Sequence, residues 1–315
     1  MAQDRSQNEK RRLGRVLVTG AAGFLGSAVA ERLARNGETV IISDLDQATA
    51  TPTGLHACDL TQQHQVEALI KDQGIDTIIH AGAVSGPMVM ADRPLEIWRV
   101  NVMGTAHLLE TARRGRVARF VLCSSIDVYG ATAAGKIDED TAFAPESVYG
   151  ASKVAAEAAL TGYAREHGMD AIAVRFSWIY GPGRRTPTTL ERLIRAGLAG
   201  QPIALEGDAL QRTHYLFIDD AVAGVLAAAR APAKLPRRAY NITAGEGVPI
   251  QRVIETLTSL LPELRVRFLE GGGASLPGPI GFDPSNAAHD LGYRPQVSLM
   301  QGLRRYVEVL RSERA

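Results

Sequence analysis

A tyrosine and a lysine stand four residues apart in Tyr149-Gly-Ala-Ser-Lys153. Residues four apart share one face of a helix, so the lysine ammonium can lie beside the phenol. A free phenol has a pKa of about 10, which makes it a poor acid–base group at neutral pH, and a neighbouring cation lowers that pKa. The pair therefore predicts proton transfer by Tyr149. The structural alternative is a solvated tyrosine and lysine on a surface helix.

Two serines, Ser124 and Ser125, end the apolar run that begins at Phe120. Ligands of a parallel sheet bind outside the carboxyl ends of its strands. A serine there can hydrogen-bond the substrate oxygen that Tyr149 protonates or deprotonates. Alternatively, the two hydroxyls only cap the strand.

Gly20, Gly23 and Gly26 are spaced as in loops that bind a dinucleotide, with Phe24 and Leu25 between the last two. Such glycines allow a tight turn, a close approach of the backbone to a pyrophosphate, and close packing of helix on strand. The N-terminus of the following helix offers free N–H groups and a positive dipole end to the anion. An ordinary glycine turn is the alternative.

Asp44 ends the next apolar run, 18 residues after Gly26. An acid at this point accepts hydrogen bonds from the adenosine ribose and repels a 2′-phosphate, so NAD is favoured over NADP. The alternative is an exposed loop acid. Asp59 and Leu60, after a third short run, are candidates to contact the adenine.

Short apolar runs alternate with helical patterns along the first 180 residues. Continuous apolar runs predict strands buried on both faces, and their alternation with helices predicts a doubly wound, parallel Rossmann sheet of the α/β class. The predicted strands are 16–19, 39–43, 77–80, 120–124 and 171–176, and the predicted helices are 26–36, 63–73, 97–114 and 152–167. A strand at 215–218 and a helix at 219–230 are expected to return the chain to the sheet.

The pattern loosens after residue 180, which predicts a smaller substrate-binding cap interleaved with the Rossmann domain. We assign residues 14–180 and 213–232 to the NAD-binding domain and residues 181–212 and 233–315 to the C-terminal cap. Residues 1–13 are predicted to form a flexible tail, and residues 271–273, all glycine, an exposed loop.

Composition excludes several classes of protein. The 35 Lys and Arg residues nearly balance the 34 Asp and Glu residues, so the basic excess of a general nucleic-acid binder is missing. No stretch approaches the ~18 apolar residues that a membrane span needs. Two cysteines, Cys58 and Cys123, cannot build a disulfide framework, which favours a cytoplasmic location. His80, His107 and His214 lack metal-ligand spacing, so no metal is predicted.

Taken together, these motifs resemble the extended short-chain dehydrogenase/reductase family, the NAD-dependent group that contains nucleotide-sugar epimerases and dehydratases. The resemblance rests on Thr19–Gly26, Asp44, Asp59-Leu60, His80–Ala83, Asn101–Thr105, Ser124–Gly130, Pro145–Lys153, Arg175–Pro182, Asp283–Asn286 and Leu291–Pro295. It implies that Ser125, Tyr149 and Lys153 form the catalytic triad. It also implies cofactor contacts from Ala81, Gly82, Ala83 and Asn101, besides Tyr149 and Lys153.

The sequence departs from this family where the substrate would bind. Dehydratases carry an Asp-Glu pair after the catalytic hydroxyl residue, but Ile126 and Asp127 stand there, and an isoleucine cannot donate a proton. Trp178 replaces the Asn of sugar-nucleotide enzymes, and either walls off a smaller pocket or packs in the core. Their Arg-Asp-Phe is also altered, to Thr213-His-Tyr after Arg212.

Arg184 and Arg185 follow a Gly-Pro-Gly turn, and they either bind a carboxylate or phosphate or lie in solvent. The substrate candidates are Ser85, Ser125, Trp178, Arg184, Arg185 and Arg212.

The sequence thus predicts NAD-dependent hydride transfer at a secondary alcohol or ketone of a sugar-type substrate, with a nucleotide-sugar epimerase as the family default. One alternative is a dehydrogenase of a smaller sugar acid, polyol or hydroxy acid. Another is a non-catalytic NAD-binding sensor or scaffold. The resemblance further implies a homodimer that pairs helices 97–114 and 152–167.

Overall fold

The computed structural model describes residues 11–45, 54–130, 135–269 and 280–313. The strands in these ranges are β1 (Arg15–Thr19), β2 (Thr39–Asp44), β3 (Leu55–Ala57), β4 (Thr77–His80), β5 (Arg119–Ser125), β6 (Lys136–Ile137), β7 (Ala171–Phe176), β8 (Trp178–Tyr180), β9 (Pro202–Leu205), β10 (Arg212–Thr213), β11 (Tyr215–Phe217), β12 (Ala239–Ile242), β13 (Val248–Pro249), β14 (Arg265–Phe268) and β15 (Gly281–Phe282). The α-helices are α1 (Phe24–Arg35), α2 (Gln63–Gln73), α3 (Pro94–Trp98), α4 (Gly104–Arg114), α5 (Val148–His167), α6 (Thr189–Ala199), α7 (Ile218–Arg230), α8 (Ile250–Leu260), α9 (Ser285–Asp290) and α10 (Leu299–Ser312).

The central sheet has seven parallel strands in the order β12-β7-β5-β4-β1-β2-β3. Side chains alternate across it: Val16 and Val18 of β1 lie in one core, whereas Leu17 lies in the core on the opposite face. Helices α1 and α7 cover the first face, and α2, α4 and α5 cover the second. Because both faces are buried, the strands have continuous apolar sequences, and the predicted doubly wound α/β fold is confirmed.

The strand order reverses between β1 and β4, which are neighbours in the sheet although β2 and β3 intervene in the chain. In open α/β sheets the crevice outside the carboxyl ends of the strands at such a switch point is where ligands bind. The glycine turn after β1 and the turn after β4 both lie there.

Strand β12 corrects the predicted domain boundaries. It pairs in parallel with β7 from Ala239 to Ile242 and forms one edge of the central sheet, although residues 233–315 were assigned to the cap. The strand expected at 215–218 does not join the central sheet, because β11 pairs with β8 and Ile218 already begins α7, whereas the helix expected at 219–230 does pack on the sheet as α7. The other small pairs are β10 with β13, β9 with β14, and β6 with β15.

The start of the described chain is also more ordered than predicted. Residues 1–10 of the expected flexible tail lie outside the described residues, but Leu13 is buried in the core and its carbonyl accepts a hydrogen bond from Thr77 (Oγ1 to O, 2.7 Å). Arg11 forms an ion pair with Asp170. The glycines at 271–273 lie outside the described residues. Within those that are described, no helix is long and apolar enough to cross a membrane.

Candidate active site

The three residues predicted to be catalytic meet at the carboxyl edge of the sheet. Ser125 is the last residue of β5, and Tyr149 and Lys153 lie in the first two turns of α5. All three side chains are buried. Helix α5 begins four residues earlier than predicted because Ser147 caps it, with its Oγ accepting a hydrogen bond from the Gly150 N–H at 2.9 Å.

The phenol of Tyr149 lies among hydroxyl groups. Burial raises the pKa of Tyr149, the charge of Asp127 raises it further, and hydrogen bonds with Ser125 and Ser85 lower it in part. In the protein alone, burial outweighs the contributions that lower this pKa, and the lowering expected from Lys153 stays a prediction. The sequence-predicted residues Ser85 and Ser125 thus both contact the phenol.

Lys153 carries a buried ammonium whose Nζ lies 5.8 Å from the centroid of the Tyr149 ring. It donates a hydrogen bond to the carbonyl of Cys123 at 2.9 Å. Burial lowers the pKa of Lys153 to about 8, although the charge of Glu157 opposes that shift. The amine is therefore still largely protonated at neutral pH, and it titrates far more readily than a solvated lysine.

The three glycines after β1 form a cradle that side chains would fill. Gly20 has φ +69°, and a Cβ on it would lie 2.6 Å from the backbone nitrogen of Gly82 in the turn after β4. A Cβ on Gly26 would collide with the carbonyl oxygen of Gly20. Gly23 caps α1, and its N–H donates to the Gly20 carbonyl at 3.0 Å. Gly20 and Gly26 therefore have a steric reason to lack a side chain.

The N-terminus of α1 opens onto this cradle. Phe24 and Leu25 are the first residues of the helix, no side chain caps it, and its first turn holds no acid. Asp44, at the end of β2, accepts a hydrogen bond from the N–H of Ala22 at 2.9 Å, so its carboxylate lies beside the turn. Uncapped N–H groups next to an acid at the second strand fit the diphosphate and the ribose of a dinucleotide.

The remaining cofactor candidates lie at the same edge. Ala81, Gly82 and Ala83 form the turn after β4, with the Gly82 N–H donating to the Thr19 hydroxyl at 3.2 Å. A Cβ on Gly82 would lie 2.9 Å from Leu60 Cδ1, so Leu60 packs under the turn. Asp59 accepts hydrogen bonds from the N–H and hydroxyl of Thr61 at 2.9 and 2.8 Å, which closes the loop after β3.

Asn101 makes contacts within the protein, and the cofactor contact predicted for it stays a prediction. It is buried, and its amide bonds the backbone N–H and carbonyl of Val84 at 2.8 and 3.1 Å and the Ser152 hydroxyl at 2.9 Å. It lies in a π-helical turn, Arg99–Met103, that interrupts the single helix predicted for 97–114. Asn101 therefore ties the loop that carries Ser85 to α5.

A buried ion pair behind the catalytic strand was missed by sequence reasoning. Glu157 accepts hydrogen bonds from Arg175 (Nη2 to Oε2, 2.7 Å) and from the Ser124 hydroxyl at 2.5 Å. Arg175 also donates to the Tyr129 hydroxyl at 2.7 Å. These contacts join β5, α5 and β7. The available signal was the position of Glu157, four residues after Lys153 on the same helix.

The substrate candidates do not all converge. Trp178 is 53% exposed, which excludes the core-packing alternative. Arg184 is half-buried, whereas Arg185 is exposed. Arg212 is exposed and donates to the Gly247 carbonyl at 2.5 Å.

No group of three or more potential metal ligands occurs among the described residues. His80 is buried between the hydroxyls of Thr19 and Thr105, at 2.8 and 3.0 Å. Burial and the charge of Lys153 lower the pKa of His80 to about 3. The ring is therefore neutral and links β1, β4 and α4.

Comparison with known proteins places the chain in a family. A model of the NAD-dependent epimerase/dehydratase family matches residues 16–243. The UDP-glucose 4-epimerase of Mycolicibacterium smegmatis is 31% identical over 325 residues, which cover 95% of this chain and 99% of the relative. The dTDP-glucose 4,6-dehydratase of Streptomyces niveus is 30% identical over 333 residues, which cover 96% of this chain and 94% of the relative.

A solved structure shows the same fold with the cofactor bound. The Thermus thermophilus UDP-glucose 4-epimerase in complex with NAD has a TM-score of 0.82 and 26% identity, covering 94% of this chain and 99% of that one. The matched family region contains the glycine cradle, Asp44 and all three residues predicted to be catalytic. The chain therefore belongs to the NAD-dependent epimerase/dehydratase family, enzymes of the extended short-chain dehydrogenase/reductase type whose cofactor is NAD.

Proposed function

We propose that this chain transfers a hydride between NAD and a secondary alcohol or ketone of a sugar nucleotide, and acts as an epimerase. The observation that carries the proposal is the contact of the Tyr149 phenol with Ser125 at the sheet edge that also holds the glycine cradle. NAD, when bound, would accept the hydride. Side chains of the protein would transfer the proton.

Tyr149 takes the hydroxyl proton in the oxidative direction and returns it in the reductive one. Burial favours its neutral form, which is the donor, and hydrogen bonds with Ser125 and Ser85 favour the ionised form, which is the acceptor. Ser125 holds the substrate oxygen against the phenol. Lys153 would bind the nicotinamide ribose through its ammonium.

Epimerisation is favoured over dehydration by the residue after Ser125. Ile126 is buried in an apolar cluster and carries no proton to deliver to a leaving hydroxyl. The relatives named above act on UDP-glucose or dTDP-glucose and match nearly the whole chain, which supports a sugar nucleotide as substrate.

A dehydrogenase of a smaller sugar acid, polyol or hydroxy acid is the second candidate. It is favoured by Trp178, which is exposed where sugar-nucleotide enzymes carry an Asn. Thr213 adds to this, because its hydroxyl donates to the Val248 carbonyl at 3.1 Å and supplies no charge. A non-catalytic NAD sensor is the third possibility, and the complete set of Ser125, Tyr149 and Lys153 argues against it.

The test is a substrate panel offered to the purified protein with NAD. Nucleotide sugars, sugar acids and polyols are each assayed for NADH by absorbance and for epimers by chromatography. We expect an epimer from a nucleotide sugar with no accumulation of NADH. Stoichiometric NADH from a small hydroxy acid would establish the second candidate instead. Tight NAD binding with no product from any compound would overturn both and favour the sensor.

We also propose a homodimer formed through the region of α3, α4 and α5. Leu95 and Met103, at its start, expose 60% and 50% of their surface. In light scattering after gel filtration, Met103→Glu is expected to give a monomer. The control Leu210→Glu, at a site 68% exposed elsewhere on the chain, should leave the dimer intact. A cytoplasmic location is proposed because Cys58 and Cys123 are both free and buried.

A further inference from the structure

Arg184 is a partly buried cation whose environment differs from that of two other buried arginines. Arg119 pairs with Asp170 (Nη2 to Oδ2, 2.9 Å), and Arg175 pairs with Glu157 (Nη2 to Oε2, 2.7 Å). Within the described part of the chain, no carboxylate lies within ion-pair distance of Arg184. A guanidinium withdrawn from water without an acid is unfavourable unless an anion joins it.

The side chain of Arg184 is held in place by the chain. Its Nη1 donates a hydrogen bond to the Ile179 carbonyl at 2.6 Å. Its guanidinium carbon lies 6.0 Å from the centroid of the Phe24 ring, at the first residue of α1. The phenols of Tyr306 and Tyr149 also lie near it. Arg184 therefore lies between the N-terminus of α1 and the catalytic phenol.

Two positive charges converge at this point. The N-terminus of α1 carries the positive end of a helix dipole and has neither a side-chain cap nor an acid in its first turn. Burial lowers the pKa of Arg184, as it also lowers that of the carboxylate-paired Arg119, and the carboxylate of Glu191 opposes the shift at Arg184. Among the described residues, the buried Nε of Arg184 has no hydrogen-bond partner. Donors and charge thus remain for an anion next to the helix terminus.

We propose that Arg184 binds the diphosphate of the dinucleotide, and so belongs to the cofactor site rather than to the substrate site. The proposal rests on the proposed function, because it assumes that NAD binds at the glycine cradle. The helix N–H groups would contact the diphosphate from one side and the guanidinium from the other. Arg185, the next residue, is exposed and takes no part.

The experiment measures ligand binding, not turnover. Wild type, Arg184→Met and the matched control Arg185→Met are titrated by calorimetry with NAD and with ADP-ribose, which keeps the diphosphate but lacks the nicotinamide. Adenosine, which lacks both, is followed by ligand-observed NMR. Arg184→Met should weaken NAD and ADP-ribose by the same factor, about 10- to 100-fold, because charged hydrogen bonds to the phosphates are lost. Its adenosine binding should not change, and Arg185→Met should match wild type for all three ligands.

The outcomes separate this proposal from the function on which it rests. If Arg184→Met binds NAD as wild type does, the proposal is overturned, and a higher KM for the sugar substrate alone would assign Arg184 to the substrate. If Arg184→Met loses adenosine binding through misfolding, Arg184→Lys is tested instead. This variant keeps the charge but not the planar guanidinium, so its affinity for NAD and ADP-ribose should fall several-fold. An unchanged affinity would contradict the proposal. Failure of wild type to bind NAD would instead overturn the proposed function.

Discussion

Strand β5 has a buried cationic site at one end and the candidate active site at the other, and the two ends are built differently. At its amino end, Arg119 is fully buried, pairs with Asp170 and donates to the carbonyl oxygens of Ala228, Ala231 and Pro232 at 2.6, 2.9 and 3.0 Å. The last three belong to the end of α7 and the residues after it. The chain thus supplies a carboxylate and three carbonyl oxygens to this cation, although burial lowers its pKa and its Nε has no hydrogen-bond partner among the described residues.

At the carboxyl end of β5, the buried polar and charged side chains have fewer partners within the chain. Lys153 has a backbone carbonyl as its hydrogen-bond acceptor, Tyr149 is a buried phenol among hydroxyls, and Arg184 lacks a carboxylate partner within the described residues. Desolvated charges without partners cost stability. The groups at the amino end of β5 therefore stabilise the fold. The groups at its carboxyl end lower stability but remain available for ligands.

The largest effect is expected on turnover, from a substitution of Tyr149 at the carboxyl end of the sheet. Tyr149→Phe removes the proton-transfer group and should lower kcat by about 10²- to 10⁴-fold. NAD affinity, measured by calorimetry, should stay nearly unchanged because the ring remains. Tyr163→Phe, on the same helix, serves as the control with normal turnover. An active Tyr149→Phe would refute the proposed acid–base role.

A substitution at the amino end of β5 should lower stability and leave cofactor binding unchanged. Arg119→Met leaves three backbone carbonyls without their donor and removes the buried cation from Asp170, which keeps its ion pair with Arg11, so the free energy of unfolding should fall by about 3–5 kcal/mol. Urea denaturation measures this, and NAD affinity should not change at temperatures where the variant is folded. Arg114→Met, at an exposed ion pair with Glu110, is the control, with a loss below about 1 kcal/mol. A similarly small loss at Arg119 would mean that the two edges do not differ as described.

Lys153 makes the free energy of unfolding depend on pH. Burial lowers its pKa to about 8, whereas in the unfolded chain it returns to its ordinary value of about 10.5. Between these values the unfolded state binds more protons, so the contribution of Lys153 to stability rises with pH from about 8 to about 10.5, and below pH 8 the cost of the buried charge is fully present. Lys153→Met should therefore raise the free energy of unfolding at pH 7 by about 1–2 kcal/mol. The variant should not show the increase in stability that the wild type shows between pH 8 and pH 10.5.

Urea denaturation at pH 7 and pH 9 tests this expectation. Lys71→Met, at an exposed position on α2, is the matched control and should follow the wild-type pH dependence. Parallel profiles for wild type and Lys153→Met would show that the buried ammonium is not the source of the effect.

The smallest expected effect concerns cofactor choice. Asp44→Asn keeps an acceptor oxygen for the Ala22 N–H but removes the charge that repels a 2′-phosphate. NAD affinity should fall about 10-fold while NADP affinity rises, as one charge-assisted hydrogen bond is weakened. Asp72→Asn, on the exposed side of α2, is the control. If wild-type protein already binds NADP better than NAD, the role assigned to Asp44 is wrong.

Local patterns predicted the parts of the site that depend on local geometry. Tyr149 and Lys153 are four residues apart on one helix, and the three glycines follow a strand directly, so their spacing indicated which of them lie together. The continuous apolar strands predicted a sheet covered on both faces for the same reason.

Long-range pairing decided the parts that were predicted wrongly or missed. β12 has only four residues, and its place in the sheet depends on the free edge of β7, some 60 residues earlier in the chain. Arg184 and Arg185 are neighbours in sequence, yet only the first turns inward. Gly181 and Gly183, with φ +141° and +88°, set the path of the chain before them, which composition does not reveal.

The π-helical turn at Arg99–Met103 makes the loop that carries Ser85 sensitive to chain length. A π turn contains one residue more than the α-helical turn it replaces. Deleting a single residue there would restore a regular helix and remove the widened turn, while the helix faces on either side would keep their directions. Asn101 would then leave Val84 and Ser152. The Ser85 loop would then need another anchor, so the additional residue of this turn makes the arrangement of the site depend on the length of the chain.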